Sequence, residues 1–314
     1  MTVFDTRQVQ RAFSRASTSY AAAARLQHEI ESRLLESLDY LDDPALARAP
    51  PQVVLDVGCG PGRASAAMQQ RWPKAQVLAL DLALPMLRQV QQLPPGEGGW
   101  RRALGHVVPG RAAGRRPQPL CADVRALPLA EGSVDVLFSS VCLQWIEDLP
   151  AVFAGFRRVL KPDGLLLVST FGPDTLVELR EAFATADAVP HVSPFASIAQ
   201  FGDALVHAGF RNPVLDRDDY LTRYRDLAAL MRELRATGAT NALRTRRHSL
   251  TGKARFAAAA AAYETARLDD GSLPASGEVI TAMAWAPPPG APIREGGMEV
   301  TTVPLSRIPI RRRP

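Results

Sequence analysis

The fold of this chain is decided by one continuous stretch, Val53–Val54–Leu55–Asp56–Val57–Gly58–Cys59–Gly60–Pro61–Gly62. Its first five residues are mostly β-branched or apolar, which predicts a buried strand, and a helix is predicted to begin near Arg63. Glycines at alternate positions between these elements let the backbone turn sharply and approach a ligand without an intervening Cβ. Small ligands bind beyond the carboxyl ends of strands in open α/β sheets, so this turn is predicted to form the floor of a ligand site.

The charge and spacing of the turn indicate which ligand it holds. Its glycines follow a G-x-G-x-G pattern, whereas dinucleotide-binding enzymes carry G-x-G-x-x-G. Asp56 would face a pyrophosphate across the turn, which is electrostatically unfavourable, and a cationic ligand suits this carboxylate better. The pattern resembles the first motif of class I S-adenosylmethionine (SAM) methyltransferases, whose cofactor carries a sulfonium and an ammonium group. The alternative is a tight turn in some other α/β protein.

Later strand ends lie where that resemblance requires them. A second predicted strand, 76–80, ends at Asp81, about 20 residues beyond the turn, where one carboxylate can accept both ribose hydroxyls. A third, 119–122, ends at Asp123, which the resemblance places beside the adenine amino group, and a fourth covers 133–140. The cofactor-binding residues implied by this resemblance are Asp56, Gly58, Cys59, Gly60, Gly62, Asp81, Leu82, Met86, Asp123, Val124 and Ser139.

Alternating strand and helix patterns predict a Rossmann-like α/β fold with a seven-stranded, mostly parallel sheet and helices on both faces. Residues 1–48 are predicted to form an N-terminal helical cap, in which one helix over 8–40 covers the cofactor site. The methyltransferase domain is assigned to 49–286. Within it, 94–119 is rich in Gly, Pro and Arg and is predicted to be a mobile loop, and 287–314 is predicted to be a disordered proline- and arginine-rich tail.

Composition excludes several classes of protein. The 314 residues contain no run near the roughly 20 apolar residues of a membrane span, and residues 1–11 are too polar for a signal peptide. The three cysteines, Cys59, Cys121 and Cys142, lack the spacing of metal ligands, so no metal site is predicted. These features favour a cytoplasmic protein without a disulfide framework.

Segments outside the cofactor motifs resemble a narrower family. The stretch 11–20, RAFSRASTSY, is similar to the motif A-F-x-R-A-x-x-x-Y of the malonyl-acyl-carrier-protein O-methyltransferases of biotin synthesis (BioC). The likeness covers roughly residues 8–286 and leaves out the arginine-rich loop and the tail. Further matching segments are L-Q-W at 143–145, L-K-P-D-G at 160–164, S-T-F-G-P at 169–173, E-L-R at 178–180 and G-A-T-N at 238–241.

The BioC resemblance implies methyl transfer from SAM to the free carboxylate of a malonyl group. A carboxylate is already deprotonated at pH 7, so no general base is required. Tyr20 matches a family tyrosine that closes over the cofactor, Gln144 is a further predicted catalytic residue, and Arg180 is predicted to hold the acceptor carboxylate. Packing is the alternative role for Tyr20, and a solvated surface position is the alternative for Arg180. The predicted acceptor-pocket residues are Trp145, Thr170 and Phe171.

Charge suggests the partner that carries the acceptor. The chain has a net charge of +5, and residues 211–255 contain 11 Lys/Arg against 5 Asp/Glu. Acyl carrier proteins are acidic and bear a phosphopantetheine arm, so a basic face would steer and dock them. The alternatives are a solvated arginine-rich surface and nucleic-acid binding, and the absence of a nucleic-acid-binding motif disfavours the latter. No membrane partner is predicted, and the sequence makes no prediction of oligomeric state.

Several functions share the predicted cofactor site. Malonyl-coenzyme A is an alternative acceptor because it presents the same carboxylate on a pantetheine arm. Another small acid or a quinone precursor would suit the same superfamily. A respiratory complex I assembly factor, whose family resembles BioC, would use the fold to hydroxylate a protein arginine. A SAM-binding regulator without turnover is the remaining alternative.

Overall fold

The computed structural model describes residues 3–42, 48–93, 115–249 and 251–288, and the backbone of two short strands at 293–295 and 298–300. These two strands pair antiparallel within the segment predicted to be a disordered tail. Most of that tail, and most of the loop predicted at 94–119, lies outside the described residues.

The N-terminal cap contains three helices where the sequence pattern predicts one. The break after the first helix falls in a run of hydroxylated residues, where Ser17 and Ser19 donate to carbonyls three residues earlier at 3.0 and 3.1 Å. Short polar side chains that bond the local backbone compete with the helical ladder, which explains the interruption. The elements are α1 (Thr6–Ala16), α2 (Tyr20–Ala23), α3 (Arg25–Glu36) and a 3₁₀ turn (Ser37–Asp42).

Seven strands form one sheet, as the sequence predicts. Their order is β3-β2-β1-β4-β5-β7-β6, and β1 to β5 run parallel, whereas β7 is antiparallel to both of its neighbours. The carboxyl ends of the parallel strands therefore meet at one edge of the sheet. The strands are β1 (Val53–Val57), β2 (Gln76–Asp81), β3 (Gln118–Cys121), β4 (Val134–Ser139), β5 (Leu160–Phe171), β6 (Arg211–Tyr224) and β7 (Leu273–Trp285).

Helices cover both faces of the sheet because neighbouring residues of the central strands point in opposite directions. Leu55 packs with Phe153 and Phe156 on one face, and Val54 packs with Met68 and Trp72 on the other. Each face therefore has its own apolar core. The helices that follow the cap are α4 (Arg63–Arg71), α5 (Leu84–Val90), α6 (Leu149–Val159), α7 (Val177–Ala186), α8 (Ile198–His207), α9 (Leu227–Ala236) and α10 (Lys253–Tyr263).

A third apolar cluster lies among elements that follow the parallel part of the sheet. It joins Leu179 and Phe183 of α7, Leu230 of α9 and Tyr263 of α10 with Leu273 at the start of β7. The Tyr263 hydroxyl also donates to the carbonyl of Pro274 at 2.6 Å. This cluster holds three helices beside the carboxyl edge of the sheet, where a second cavity forms next to the predicted cofactor site.

Candidate active site

The glycine turn after β1 has the conformation that its sequence predicts. Gly58, Gly60 and Gly62 have φ angles of 69°, 52° and 88°, all in the left-handed region that favours glycine. A Cβ on Gly58 would lie 2.4 Å from the Cys142 sulfur, whereas the nearest atom to one on Gly60 would be Tyr20 Cε1 at 3.9 Å. Gly58 is thus required for packing beneath the turn, and Gly60 presents bare backbone to the cleft above it.

Asp81 is fixed at the end of β2 by the same turn. The Gly60 amide donates to Asp81 Oδ2 at 2.9 Å, and the Ala83 amide donates to Oδ1 at 2.7 Å. Burial raises the pKa of the Asp81 carboxyl, and these amide bonds act in the opposite direction. The carboxyl is therefore held in one orientation beside the glycine turn.

A cleft of about 840 Å³ opens above the glycine turn and Asp81. Helix α1 contributes to its wall, and the Gln10 side chain donates to the Leu82 carbonyl at 3.0 Å, which ties this helix to the end of β2. A concave lining of apolar side chains with a few convergent polar groups is typical of a site for a small molecule or cofactor. Its lining includes Val9, Gln10, Phe13, Tyr20, Gly58, Gly60, Asp81, Leu82, Met86, Asp123, Val124 and Trp145.

Carboxyl groups gather on the other side of the turn, in a smaller cavity next to Tyr20. Burial raises the pKa of Asp56 to about 8, although Ser65 donates a hydrogen bond to it, and nearby Glu31 raises it further. Burial also raises the pKa of Glu31, which is paired with Arg63. Buried acids with raised pKa values are stabilised in their charged form by a cation, so this end of the site favours a positively charged group.

A second and larger cavity, of about 1430 Å³, adjoins the cleft. Trp145 lines both spaces, and Gln27 lines both the second cavity and the smaller cavity that holds Asp56. We call the larger space the acceptor cavity. Its lining includes Gln27, Gln144, Trp145, Phe171, Thr175, Phe183, His191, Tyr224, Glu233, Arg235, Thr240 and Asn241.

Unpartnered polar atoms mark the acceptor cavity. Four buried side-chain atoms in its lining have no hydrogen-bond partner among the described residues, and two of them, Trp145 Nε1 and Gln144 Oε1, lie on one 3₁₀ turn. The Gln144 amide nitrogen donates to the Val141 carbonyl at 2.6 Å, which leaves its oxygen free. Burying such atoms without partners is unfavourable, so their concentration here indicates a polar ligand. The other two atoms are Gln27 Oε1 and Thr240 Oγ1.

Comparison with known proteins decides the family. Residues 55–168 match the family described as a methyltransferase domain. A protein of Xylella fastidiosa (strain M23) named malonyl-[acyl-carrier protein] O-methyltransferase is 58% identical over 311 residues, covering 99% of this chain and 98% of the relative. A protein of the same name from Gallionella capsiferriformans (strain ES-2) is 41% identical and covers 91% of this chain and 93% of its own length. This chain belongs to that family.

A solved structure supports the fold independently. The YcgJ protein of Bacillus subtilis aligns with 83% of this chain and 99% of its own length, with a TM-score of 0.54 and 13% sequence identity. The predicted class I methyltransferase fold is confirmed. The chain is a SAM-dependent O-methyltransferase.

The cleft and the carboxyl cavity fit SAM on this structure's own geometry. Gly60 leaves open the space that a Cβ would fill, and Asp81 lies beside it at the end of β2. Asp123 lines the cleft further along and pairs with Arg125, whose Nε donates to Oδ1 at 2.9 Å and lowers the pKa of the acid. The cationic end of SAM suits the acids on the far side of Tyr20.

Three residues predicted for the site lie elsewhere. The Arg180 guanidinium donates to the carbonyls of Pro173 and Thr175 at 2.7 and 3.2 Å, so it fixes a loop, and it lines neither cavity. Thr170 is buried in β5 and lines neither cavity, although the next residue, Phe171, lines the acceptor cavity. Ser139 donates to the Val57 carbonyl at 2.9 Å and joins two strands.

Two further residues predicted for the cofactor site are packed within the turn. Gly62 immediately precedes α4, and a Cβ there would lie 2.8 Å from Val90 Cγ2, so this glycine allows α4 to pack against α5. Cys59 is buried beneath the turn and lines the smaller cavity beside Asp56.

The sequence predicts that the cap covers the cofactor site and that Tyr20 contributes to it, but two further cap residues that line the cavities were not predicted. Gln27 and Glu31 lie four residues apart on α3, so they share a helix face, and that face borders the glycine turn. This spacing was the available signal, but the contact with the turn depends on how α3 packs. In the part of the chain that the structure describes, no group of three His, Cys, Asp or Glu residues is placed to hold a metal. None of the described helices is long and apolar enough to cross a membrane.

Proposed function

We propose that this enzyme transfers a methyl group from SAM to the free carboxylate of a malonyl group carried on acyl carrier protein. The product would be the methyl ester that primes pimeloyl synthesis for biotin. The observation that carries this proposal is the junction at Trp145, where the cofactor cleft meets a large cavity with four buried polar atoms that have no partner among the described residues. The names of the relatives support malonyl on carrier protein as the acceptor.

Residues at the strand ends would hold the cofactor. Asp81, fixed at the end of β2, would accept hydrogen bonds from the ribose hydroxyls, and Asp123, which lines the cleft further along, would contact the adenine amino group. Asp56 and Glu31 would face the cationic end. When bound, SAM supplies an electrophilic methyl group on a sulfonium.

The acceptor needs orientation more than activation. Its carboxylate is ionised at pH 7, so the protein has no proton to remove. Trp145 Nε1 and the Thr240 hydroxyl are unpartnered donors that can bind acceptor oxygens, and the free Gln144 oxygen suits an amide N–H of a pantetheine arm. Burial and nearby acids raise the pKa of Tyr20, so its hydroxyl stays protonated and orients neighbouring groups without acting as a base.

The cap would exclude water from the reacting groups. Phe4 and Phe13 pack edge-to-face against Trp145, with ring centroids 6.1 and 5.7 Å away. Both aromatic contacts come from the N-terminal cap, so the wall between cleft and cavity depends on that cap being closed. A closed, dry site strengthens the polar contacts that position a carboxylate for in-line attack.

Methylation changes how the acceptor is received by other enzymes. The ester removes one negative charge, so elongation enzymes with apolar pockets can accept the uncharged malonyl methyl ester. This role places the enzyme in the cytoplasm with the carrier protein of fatty-acid synthesis.

Mass spectrometry of purified protein tests the proposal. The protein is incubated with SAM and with malonyl-acyl carrier protein, malonyl-coenzyme A or malonate. We expect one methyl group on the carrier-linked malonyl, with S-adenosylhomocysteine formed in equal amount. Asp81→Ala is the matched control, and loss of its ribose contacts should weaken SAM binding by about 1–3 kcal/mol. SAM binding without methylation of any of the three acceptors would refute the proposal and direct the search to other acids or to protein arginine.

A further inference from the structure

An open basic groove lies between α1 and α9, on the outer side of the cap. Its floor is made of small residues, Ala12, Ala16 and Ala236, and its basic side chains come from both helices. Arg15 lies near the end of α1, and Arg232 and Arg235 are three residues apart on α9. All three arginines are exposed, and no carboxyl group among the described residues lines the groove.

The two helices that form the groove are fixed relative to each other. A Cβ on Gly238, which follows α9 with a φ of 77°, would lie 3.1 Å from Phe13 Cδ1 of α1. The Ser19 hydroxyl donates to the Ala236 carbonyl at 2.8 Å. The groove is therefore a preformed surface, and a ligand need not order it.

The arginines of the groove differ from most of those around them. Within the basic segment 211–255, ion pairs neutralise several cations, including Arg217 with Asp219, Arg223 with Asp270, Arg246 with Asp5 and Arg247 with Asp187. Arg15, Arg232 and Arg235 form no ion pair with any residue that the structure describes. Their positive charge is thus available to an anionic partner.

A second set of arginines extends the basic surface along α1. Arg7, Arg11 and Arg15 are spaced four residues apart and are all exposed, so they share one side of the helix. Arg244 is exposed beside Arg7 and Arg11. The basic surface therefore has an extent that suits a folded acidic partner as well as a single phosphate.

The groove adjoins the acceptor cavity. Arg235 and Thr240 line both spaces, and Thr240 carries one of the unpartnered atoms of the cavity. An anionic group held in the groove can therefore extend an uncharged chain past Thr240 towards Trp145. A phosphopantetheine arm has this chemistry, with a phosphodiester at one end and an acylated chain at the other.

We propose that this groove is the docking site of the acidic carrier protein. Arg15, Arg232 and Arg235 bind the phosphodiester of its pantetheine arm, and the arginines along α1 face the acidic surface of the carrier. The inference rests on the proposed function, because it takes the carrier-linked acceptor as the ligand. It adds the surface that selects the carrier and the route by which the arm enters.

Charge reversal tests the docking site without requiring turnover. Arg15→Glu/Arg232→Glu changes one exposed residue on each helix, and neither residue lines the acceptor cavity. We expect binding of fluorescently labelled malonyl-acyl carrier protein, measured by anisotropy, to weaken at least about tenfold. The double change to alanine should give an intermediate loss. Lys74→Glu/Arg211→Glu, which changes exposed residues before β2 and at the start of β6, is the control with the same change of charge.

A kinetic ratio separates docking from catalysis. Malonyl-pantetheine lacks both the phosphate and the protein, so charge reversal should lower kcat/KM at least about tenfold more for the carrier substrate than for this analogue. Equal binding by the charge-reversed and control variants, or equal losses with both substrates, would overturn the docking site. A wild-type protein that binds the carrier but never methylates it would refute the proposed function and leave the docking result standing.

Discussion

The cofactor cleft and the acceptor cavity share Trp145 but are built in opposite ways. The carboxylates of the cleft are already bonded within the fold, as Asp81 is by the amides of Gly60 and Ala83 and Asp123 is by Arg125. The acceptor cavity has walls from helices and strands far apart in the sequence, and it leaves Gln144 and Thr240 with unpartnered atoms. The carboxylates of the cleft therefore help to hold the fold together, whereas the unpartnered atoms of Gln144 and Thr240 gain hydrogen-bond partners only when a ligand binds.

This difference predicts how mutations in the two spaces affect the stability of the fold and the binding of ligands. A change in the cleft should disturb folding and binding together, because the same atoms serve both. A change at an unpartnered atom of the acceptor cavity should affect binding and leave folding almost untouched.

The largest effect is expected at Gly58. Gly58→Ala would place a Cβ 2.4 Å from the Cys142 sulfur and force a residue other than glycine to a φ of 69°. Strain and overpacking together should lower the free energy of unfolding by about 3 kcal/mol or more. Urea unfolding of the variant measures this loss.

Gly132→Ala is the control for the backbone part of that effect. Gly132 also has a positive φ, 58°, but a Cβ there would meet no atom of the described part of the chain within 4 Å. We expect a loss of only about 1 kcal/mol. Equal losses at the two positions would show that the contact with Cys142 is unimportant and that the turn is less tightly packed than the structure indicates.

The same contrast explains what the sequence could predict. The cleft follows from local signals: a strand, a G-x-G-x-G turn and acids at the next strand ends place Asp56, Asp81 and Asp123 without knowledge of distant packing. Arg180 was assigned from its neighbours in the sequence, but its orientation depends on the loop carbonyls that it binds. The contribution of Thr240 depends on how α9 packs against the cap, and no local pattern encodes that contact.

Asp56 provides an intermediate effect that depends on pH. Its pKa is 3.8 in an unfolded chain and about 8 in the buried site, so the folded protein retains an additional proton between these values. Stability therefore falls as pH rises through this window. Between pH 6 and pH 8, without SAM, the unfolding free energy of the wild type should fall by about 2 kcal/mol more than that of Asp56→Asn.

The release of a proton when SAM binds is a second test of the raised pKa of Asp56. A cation favours the ionised carboxylate, so at pH 7 the wild type should release a proton as SAM binds, and its affinity should rise with pH. Calorimetry in two buffers of different ionisation enthalpy measures that release, which should be reduced in Asp56→Asn. Parallel pH profiles for the two proteins would show that Asp56 is ionised before the cofactor arrives.

The smallest effect on stability is expected at Thr240, and it tests the acceptor half of the comparison. Thr240→Val removes an unpartnered hydroxyl at similar volume, so the free energy of unfolding should change by less than about 0.5 kcal/mol. If that hydroxyl binds the acceptor, its loss should raise KM for malonyl-acyl carrier protein about fivefold, with SAM affinity unchanged.

Thr175→Val is the matched change in the same cavity. The Thr175 hydroxyl donates to the Glu278 carbonyl at 3.0 Å and accepts from the Glu278 amide at 3.1 Å, so its removal should destabilise the fold by about 1–3 kcal/mol. The two threonines thus differ in whether the fold already uses the hydroxyl. The comparison fails if Thr240→Val destabilises the protein as much as Thr175→Val and leaves KM unaltered. That result would mean that the Thr240 hydroxyl is hydrogen-bonded within the fold and does not bind the acceptor.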